Sequence, residues 1–151
     1  MITILESLVD PKVMNNMCKM YNTPKSGSML IFLPGYQEIM NVRDMIIERF
    51  GEEFIKIVML HSTITATSKD LALSDSRKFR VFLCTNIAES SITVPDCLFV
   101  IDFCLTKELE YDPKNLTEKL CLQFCSKASA DQRRGRVGRL FPGVCFRMIP
   151  E

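Results

Sequence analysis

Short apolar runs alternate with stretches of helical periodicity along this chain. Five mostly apolar runs are short enough to be buried strands, and they lie at residues 29–33, 55–60, 79–84, 98–102 and 144–149. Apolar residues recur at three- and four-residue spacing over residues 11–21 and 39–50, which predicts two amphipathic helices. Strands that alternate with helices predict an α/β domain built on a mainly parallel sheet.

The remaining segments predict smaller elements. A short helix is expected around residues 69–73 and a helical turn over residues 87–91. Residues 105–124 have the pattern of a β-hairpin, with Asp-Pro-Lys-Asn near its turn. A further helix is predicted over residues 128–137, and Gly51 is a candidate helix C-cap.

Composition limits the class of protein. With 151 residues and 47% hydrophobic residues, the chain is long enough for one domain with a substantial core. Apolar spans of 18 residues and a secretory signal pattern are both missing, so we expect neither a membrane helix nor secretion. The net charge of +1 conceals a local basic patch over residues 127–139.

Cysteine usage indicates a reducing compartment. The chain has seven cysteines and one histidine, His61, and no two cysteines are spaced C-x-x-C. A zinc site is therefore not expected. Because the cysteine count is odd and several lie in apolar runs, we expect them to act as small core residues.

The octamer QRRGRVGR at residues 132–139 is the most informative stretch. In a helix, Gln132, Arg136 and Arg139 would share one face, where an amide and two fixed charges could surround a polyanion. Gly135 and Gly138 would each cost about 1 kcal/mol inside a helix, which suggests that a ligand approaches the backbone closely. Guanidiniums that converge on a phosphoryl group stabilise phosphoryl transfer.

Two plainer explanations of this octamer stay open. An arginine-rich segment is often a solvated basic face or a nuclear-import patch. Ser129 and Gln132 also fit the spacing of a capping box at a helix start.

Four segments together make the chain resemble the second RecA-like lobe of a DEAH-box RNA helicase. They are LIFLPG at 30–35, LHST at 60–63, TNIAESSIT at 85–93 and QRRGRVGR at 132–139, similar to motifs IV, IVa, V and VI in that order. The resemblance covers nearly the whole chain and implies a RecA-like three-layer sandwich with a protruding β-hairpin. Pro34-Gly35 and Phe103-Cys104-Leu105 look most like the Tudor-domain-containing helicases of the Spindle-E type, although other DEAH proteins share the Pro-Gly pair.

The resemblance implies an ATP site shared with a first lobe outside this chain. Gln132 would orient the attacking water or contact the γ-phosphate, and Arg136 and Arg139 would be arginine fingers. Gly135 and, on a weaker likeness, Asp96 would contact ATP. The first lobe would bind most of the ATP and Mg²⁺, because this chain has neither a phosphate loop nor an Asp-Glu-x-His motif. We expect Arg133 and Arg134 to pair with acids or to stay solvated, and Asp102 is alternatively a structural residue at a strand end.

The resemblance also implies contacts with RNA. Ser62, Thr85, Asn86 and Thr93 would contact its backbone, which carries no sequence information. Helix capping and turn formation are equally good roles for such hydroxyls. The hairpin resembles the strand-separating hairpin of these helicases, or is an ordinary surface hairpin. In place of an aromatic residue that many DEAH proteins stack on adenine, residues 71–75 read LALSD, so adenine stacking is not expected.

Together these features predict residues 1–151 to be one lobe of a larger ATP-dependent RNA helicase, inactive and monomeric in isolation. The Spindle-E likeness implies a role in germline piRNA silencing, with piRNA-pathway proteins as partners and the cytoplasm, including perinuclear germ granules, as location. A membrane partner is not expected. The alternative is a helicase-fold module that binds RNA or protein without catalysis.

Overall fold

A computed structural model describes most of the chain, namely residues 10–20, 27–51, 53, 55–62, 79–90, 92–94, 96–113 and 115–149. The short helix expected at 69–73 and the segment 71–75 lie outside these residues. Among the described residues, no helix is both long and apolar enough to cross a membrane.

The described elements follow the predicted alternation of strands and helices. In chain order they are α1 (Pro11–Met20), β1 (Ser28–Phe32), α2 (Tyr36–Phe50), β2 (Ile55–Leu60), β3 (Phe79–Cys84), a 3-10 turn (Asn86–Glu89), β4 (Cys97–Asp102), β5 (Leu105–Asp112), β6 (Thr117–Phe124), α3 (Lys127–Arg134) and β7 (Val144–Arg147). Five of the strands form one parallel sheet in the order β2-β3-β1-β4-β7. All five carboxyl ends therefore meet at one edge of the sheet.

Apolar side chains cover both faces of the sheet. One face packs Met29 and Ile31 of β1 against Ile39 and Ile46 of α2. On the other face, Phe32 belongs to a second cluster that includes Ala88, Ile92 and the partly buried Val137. Because successive strand residues point to opposite faces, a strand covered on both sides is apolar at most of its positions.

The hairpin has the predicted bounds. Strands β5 and β6 pair antiparallel from Leu105 opposite Phe124 to Asp112 opposite Thr117. Its described residues include several large exposed apolar side chains, namely Leu109, Tyr111, Leu116, Leu120, Leu122 and Phe124.

The arginine helix is shorter than predicted, which corrects one step of the sequence interpretation. It runs only from Lys127 to Arg134, and Ser126 is its N-cap, with its side chain accepting from the Ser129 N–H at 3.1 Å. The capping-box explanation of Ser129 and Gln132 is therefore wrong. Gly135 is the C-cap, so neither glycine of the octamer lies in a helix interior.

Candidate functional site

Arg133 joins four pieces of the fold at the carboxyl edge of the sheet. Its Nη1 lies 2.8 Å from Asp102 Oδ1 at the end of β4, and its Nε lies 2.8 Å from Glu89 Oε1 in the 3-10 turn. Nη1 also donates to the Leu105 carbonyl at 3.4 Å, and the guanidinium lies over the Phe32 ring, 5.1 Å from its centroid. The side chain is 1% exposed. The predicted pairing of Arg133 with acids is thus confirmed.

Electrostatics keep this arginine charged. Burial alone would lower the pKa of Arg133, but its hydrogen bonds to Asp102 and Glu89 outweigh burial and raise the pKa above its usual value. Ser129 Oγ adds a short hydrogen bond to the same Glu89 carboxylate. The structural role foreseen for Asp102 is confirmed, since its side chain is fully buried against Arg133.

The three candidate catalytic residues lie in the helix that Arg133 anchors or directly after it. Gln132 and Arg139 are exposed, whereas Arg136 is partly buried against the segment after the 3-10 turn. Arg136 donates to the Ile92 carbonyl at 3.3 Å and, by a shorter bond, to the Glu89 carbonyl. Burial, and then the charge of Arg139, lower the pKa of Arg136.

Backbone geometry rather than helix periodicity positions these arginines. Helix α3 ends at Arg134, so Gln132, Arg136 and Arg139 do not share a helical face as the sequence suggested. Gly138 has a φ of 78°, a left-handed conformation that favours glycine. Gly135 has a φ of −65°, which any residue adopts. The chain turn at Gly138 thus sets where Arg139 points.

Carboxylates beside the arginine segment are already paired. Glu89 and Asp102 bind Arg133, and Asp131 lies 2.8 Å from Arg147. Magnesium prefers carboxylate and phosphate oxygens, and these described acids are held by arginines instead.

A separate cleft of about 730 Å³ lies at the carboxyl ends of β1, β2 and β3. Ser62, Thr85 and Asn86, three of the four predicted RNA contacts, line it together. Thr85 is buried, while Ser62 and Asn86 are exposed. The fourth, Thr93, is exposed next to Ile92 and is not among the lining residues. Three predicted contacts therefore converge, and one lies on the Arg136 side.

An ion pair connects Lys107, a hairpin residue that lines this cleft, to Glu38 of helix α2. Lys107 Nζ lies 2.8 Å from Glu38 Oε1 and 2.9 Å from Oε2. A Cβ on Gly35 would come within 2.9 Å of the same Nζ and 2.8 Å of Glu38 Oε2. The missing side chain at Gly35 therefore leaves space for the ion pair, which gives a local reason for the Pro-Gly sequence after β1.

Asp96 lies away from the other candidates. It precedes β4, at the amino edge of the sheet, and accepts from Ser28 Oγ at 3.1 Å while forming a short ion pair with Arg80. A six-residue strand is about 20 Å long, so β4 places Asp96 far from the carboxyl edge. An ATP ribose would have to compete with Arg80 for this carboxylate, so the structure offers no support for that prediction.

One group of potential metal ligands occurs among the described residues. Ligand atoms of Asp102, Cys104 and Cys125 lie within 4.8 Å of one another. Arg133 already holds the Asp102 carboxylate, and burial raises the pKa of the Cys104 thiol to about 12. A neutral thiol next to a guanidinium disfavours a cation.

The comparisons with known proteins assign the class. Residues 12–141 match the family described as helicase conserved C-terminal domain, and the chain belongs to that family. Two solved structures of the Escherichia coli HrpB protein, one described as a DExH-box NTPase and the other as a DEAH/RHA helicase, are similar over 95% of this chain at 32% identity. Their TM-scores are 0.75 and 0.76, and the match covers 18% of each. The RecA-like fold and the resemblance to a helicase C-terminal lobe are confirmed.

Three curated relatives of this chain are named as known or probable ATP-dependent RNA helicases. The chain is 42% identical over 126 residues to mouse ATP-dependent RNA helicase TDRD9, covering 82% of the chain. It is 46% identical over 132 residues to the probable ATP-dependent RNA helicase spindle-E of Drosophila willistoni, covering 84% of the chain. Human ATP-dependent RNA helicase DHX29 is 43% identical over 126 residues. The chain spans about 9% of the length of each of these relatives.

Proposed function

We propose that residues 1–151 are the second RecA-like lobe of a larger DEAH-box, ATP-dependent RNA helicase. The arrangement around Arg133 is the observation that carries this proposal. A buried ion-pair network fixes the helix that ends in the arginine segment, and it leaves Gln132 and Arg139 exposed. A solvated basic patch has no need of such an anchor, because exposed lysines and arginines bind anions without one.

In this proposal the exposed face of the arginine segment completes an ATP site formed mainly by the first lobe. Gln132 orients the water that attacks the γ-phosphate, and Arg136 and Arg139 stabilise the charge that develops on its oxygens. Bound Mg²⁺ would neutralise further phosphate charge. Gly135, next to Arg136, would contact the phosphates. The assignment of Asp96 to ATP is the weaker one, because Asp96 already forms an ion pair with Arg80.

RNA is the proposed second ligand. Ser62, Thr85 and Asn86 would contact its backbone in the cleft, and Thr93 would contact it from the neighbouring segment. Glu89 lies in the 3-10 turn between these groups and binds Arg133, so a single rigid unit links the RNA contacts to the arginine fingers. Likeness to TDRD9 and spindle-E supports a role in germline piRNA silencing, in the cytoplasm and perinuclear germ granules, with partners from that pathway.

A second candidate is a helicase-fold module that binds RNA or protein without catalysis. The engagement of Arg136 with two backbone carbonyls favours it, because a guanidinium held in this way has fewer donors left for phosphate. In the ATPase proposal, Arg136 binds the phosphoryl group with its remaining N–H donors, or exchanges one carbonyl partner for a phosphoryl oxygen when the two lobes close.

ATP turnover by the purified 151-residue chain and by the full-length protein distinguishes the two candidates. We expect the chain alone to be inactive and the full-length protein to be stimulated by RNA. Turnover by the chain alone above a Gln132→Ala/Arg136→Ala control would contradict the half-site proposal. A full-length protein without RNA-stimulated turnover would favour the binding module.

A further inference from the structure

The cleft contains an aromatic surface that backbone recognition alone does not require. Tyr36 is the first residue of α2, lines the cleft and is 46% exposed. Its ring meets the His61 ring edge to face, with centroids 5.4 Å apart and an interplanar angle of 63°. Tyr36 follows β1 and His61 follows β2, so the parallel sheet brings the two rings together at its carboxyl edge.

Charge in the cleft is too limited to attract RNA strongly. Among the described lining residues, Lys107 carries the one fixed positive charge, and Glu38 holds its ammonium group. Phosphate contacts gain most of their affinity from cations that displace counterions. Hydroxyls and amides such as those of Ser62 and Asn86 position a phosphate without that gain. An RNA bound here would need another source of affinity.

Base stacking supplies that affinity in proteins that bind single strands. Every base presents a π-face, and each stacked base contributes affinity whatever its identity. A tyrosine has only two side-chain torsions, so its ring loses little conformational entropy when a base stacks on it. The cleft volume of about 730 Å³ lies in the range of pockets that hold one small ligand.

We propose that the cleft is a subsite for one unstacked RNA nucleotide, with its base on the exposed surface of Tyr36. Ser62 and Asn86 contact the adjoining phosphate, and the exposed Leu120 adds an apolar side chain to the lining. The subsite rests on the proposed RNA-binding function and adds a base contact to it. The contact is indifferent to sequence, since stacking does not read the edges of bases.

Abasic RNA tests the subsite without relying on a protein variant. The full-length protein is titrated with a labelled single-stranded oligonucleotide, and with copies in which one base at a time is removed. We expect one abasic position to weaken binding by about 5- to 150-fold, the range for loss of one stacked base. If no single position stands out, the subsite proposal fails.

Tyr36 variants then connect that position to the cleft. Tyr36→Ala should weaken the intact oligonucleotide by the same factor and should show no further loss with the abasic copy, while Tyr36→Phe should bind like the wild type. Tyr36→Phe, which keeps the ring and loses only the hydroxyl, is the matched control. If Tyr36→Ala weakens the abasic copy, relative to the wild-type protein, as much as it weakens the intact oligonucleotide, the ring does not contact the removed base and the proposal is overturned. A wild-type protein that binds no RNA would instead refute the proposed function itself.

Discussion

The guanidinium of Arg133 and the carboxylate of Asp102 form an ion pair at 2.8 Å in which neither side chain is more than 1% exposed. The pair connects the arginine helix to the carboxyl end of the strand next to the centre of the sheet. Because Glu89 binds the same guanidinium, the segment that carries the proposed RNA contacts Thr85 and Asn86 is tied to the same point. Arg133 thus holds the following arginines, Arg136 and Arg139, in place. This role does not require Arg133 to contact a ligand.

Removing the Arg133 side chain should greatly lower the free energy of unfolding. Arg133→Ala leaves the Asp102 and Glu89 carboxylates without their main cation, and breaking a buried pair in this way costs about 3–5 kcal/mol. Chemical denaturation of the purified chain measures the loss. Arg134→Ala is the control, because its pair with Asp131 is 64% and 58% exposed and exposed pairs contribute less than about 1 kcal/mol. Equal losses for the two variants would contradict the anchoring role.

Gly138 should resist substitution more than Gly135. At φ 78°, Gly138→Ala places a side chain in the left-handed region and should cost about 1–2 kcal/mol. Gly135→Ala has an ordinary φ, and its Cβ would lie 3.4 Å from two helix carbonyls, a close but acceptable contact. Thermal unfolding of the two variants compares them. A larger loss at Gly135 would mean that close approach of a ligand or chain, and not backbone conformation, explains the glycines.

The sequence predicted the strands of the parallel sheet well because burial on both faces makes most of their residues apolar. Strands β2 and β3 have the predicted bounds, and the hairpin spans the predicted residues 105–124, while β7 ends at Arg147, two residues earlier than expected. Helix α3 was extended too far because its arginines keep a helical spacing beyond Gly135. The correct stop needed the observation that Gly135 caps the helix and that Gly138 turns the chain.

Site residues were harder to predict where tertiary contacts decide their environment. Arg136 binds the carbonyls of Glu89 and Ile92, and a sequence does not show which carbonyls a short 3-10 turn leaves free. Asp96 was assigned to ATP because related helicase motifs carry an acid near this position. Arg80, which pairs with it, lies in β3, and the pairing of these two residues could be seen only from the fold. Tyr36 carried no signal of its own until His61 was found beside it.

Alkaline pH should destabilise the fold through buried thiols. Burial raises the pKa of Cys97 to about 12 from an ordinary value of 9.0. Above pH 9 the unfolded chain releases this proton while the folded chain keeps it, so stability falls between pH 9 and 12 by at most about 1.4 kcal/mol per pH unit. Denaturant titrations at pH 7 and 10.5 should therefore show a smaller loss in Cys97→Ala than in the wild type. Identical pH profiles would contradict the shifted thiol.

Neutralising Glu38 should strengthen RNA binding. Glu38→Gln releases Lys107 for a phosphate, and one more neutralised phosphate steepens the plot of log affinity against log salt by about 0.7 for a single strand. Asp44→Asn removes the same charge from the same helix, at an exposed pair with Arg43. Fluorescence anisotropy over a salt series separates the two variants. A slope that changes equally in both would indicate a general charge effect and no freed lysine in the cleft.

RNA-stimulated ATP turnover by the full-length protein, measured for Arg136→Ala, Arg139→Ala and Arg134→Ala, tests the central claim most directly. An arginine finger contributes about 10³ to 10⁵ in kcat. We predict losses of that size for Arg136→Ala and Arg139→Ala with nucleotide affinity nearly unchanged, because a finger meets mainly the charge of the transition state. Arg139 is exposed, so its loss should not unfold the domain, and Arg134→Ala should retain activity. Equal losses for all three variants, reproduced by added salt, would make the segment a basic patch and contradict the catalytic account.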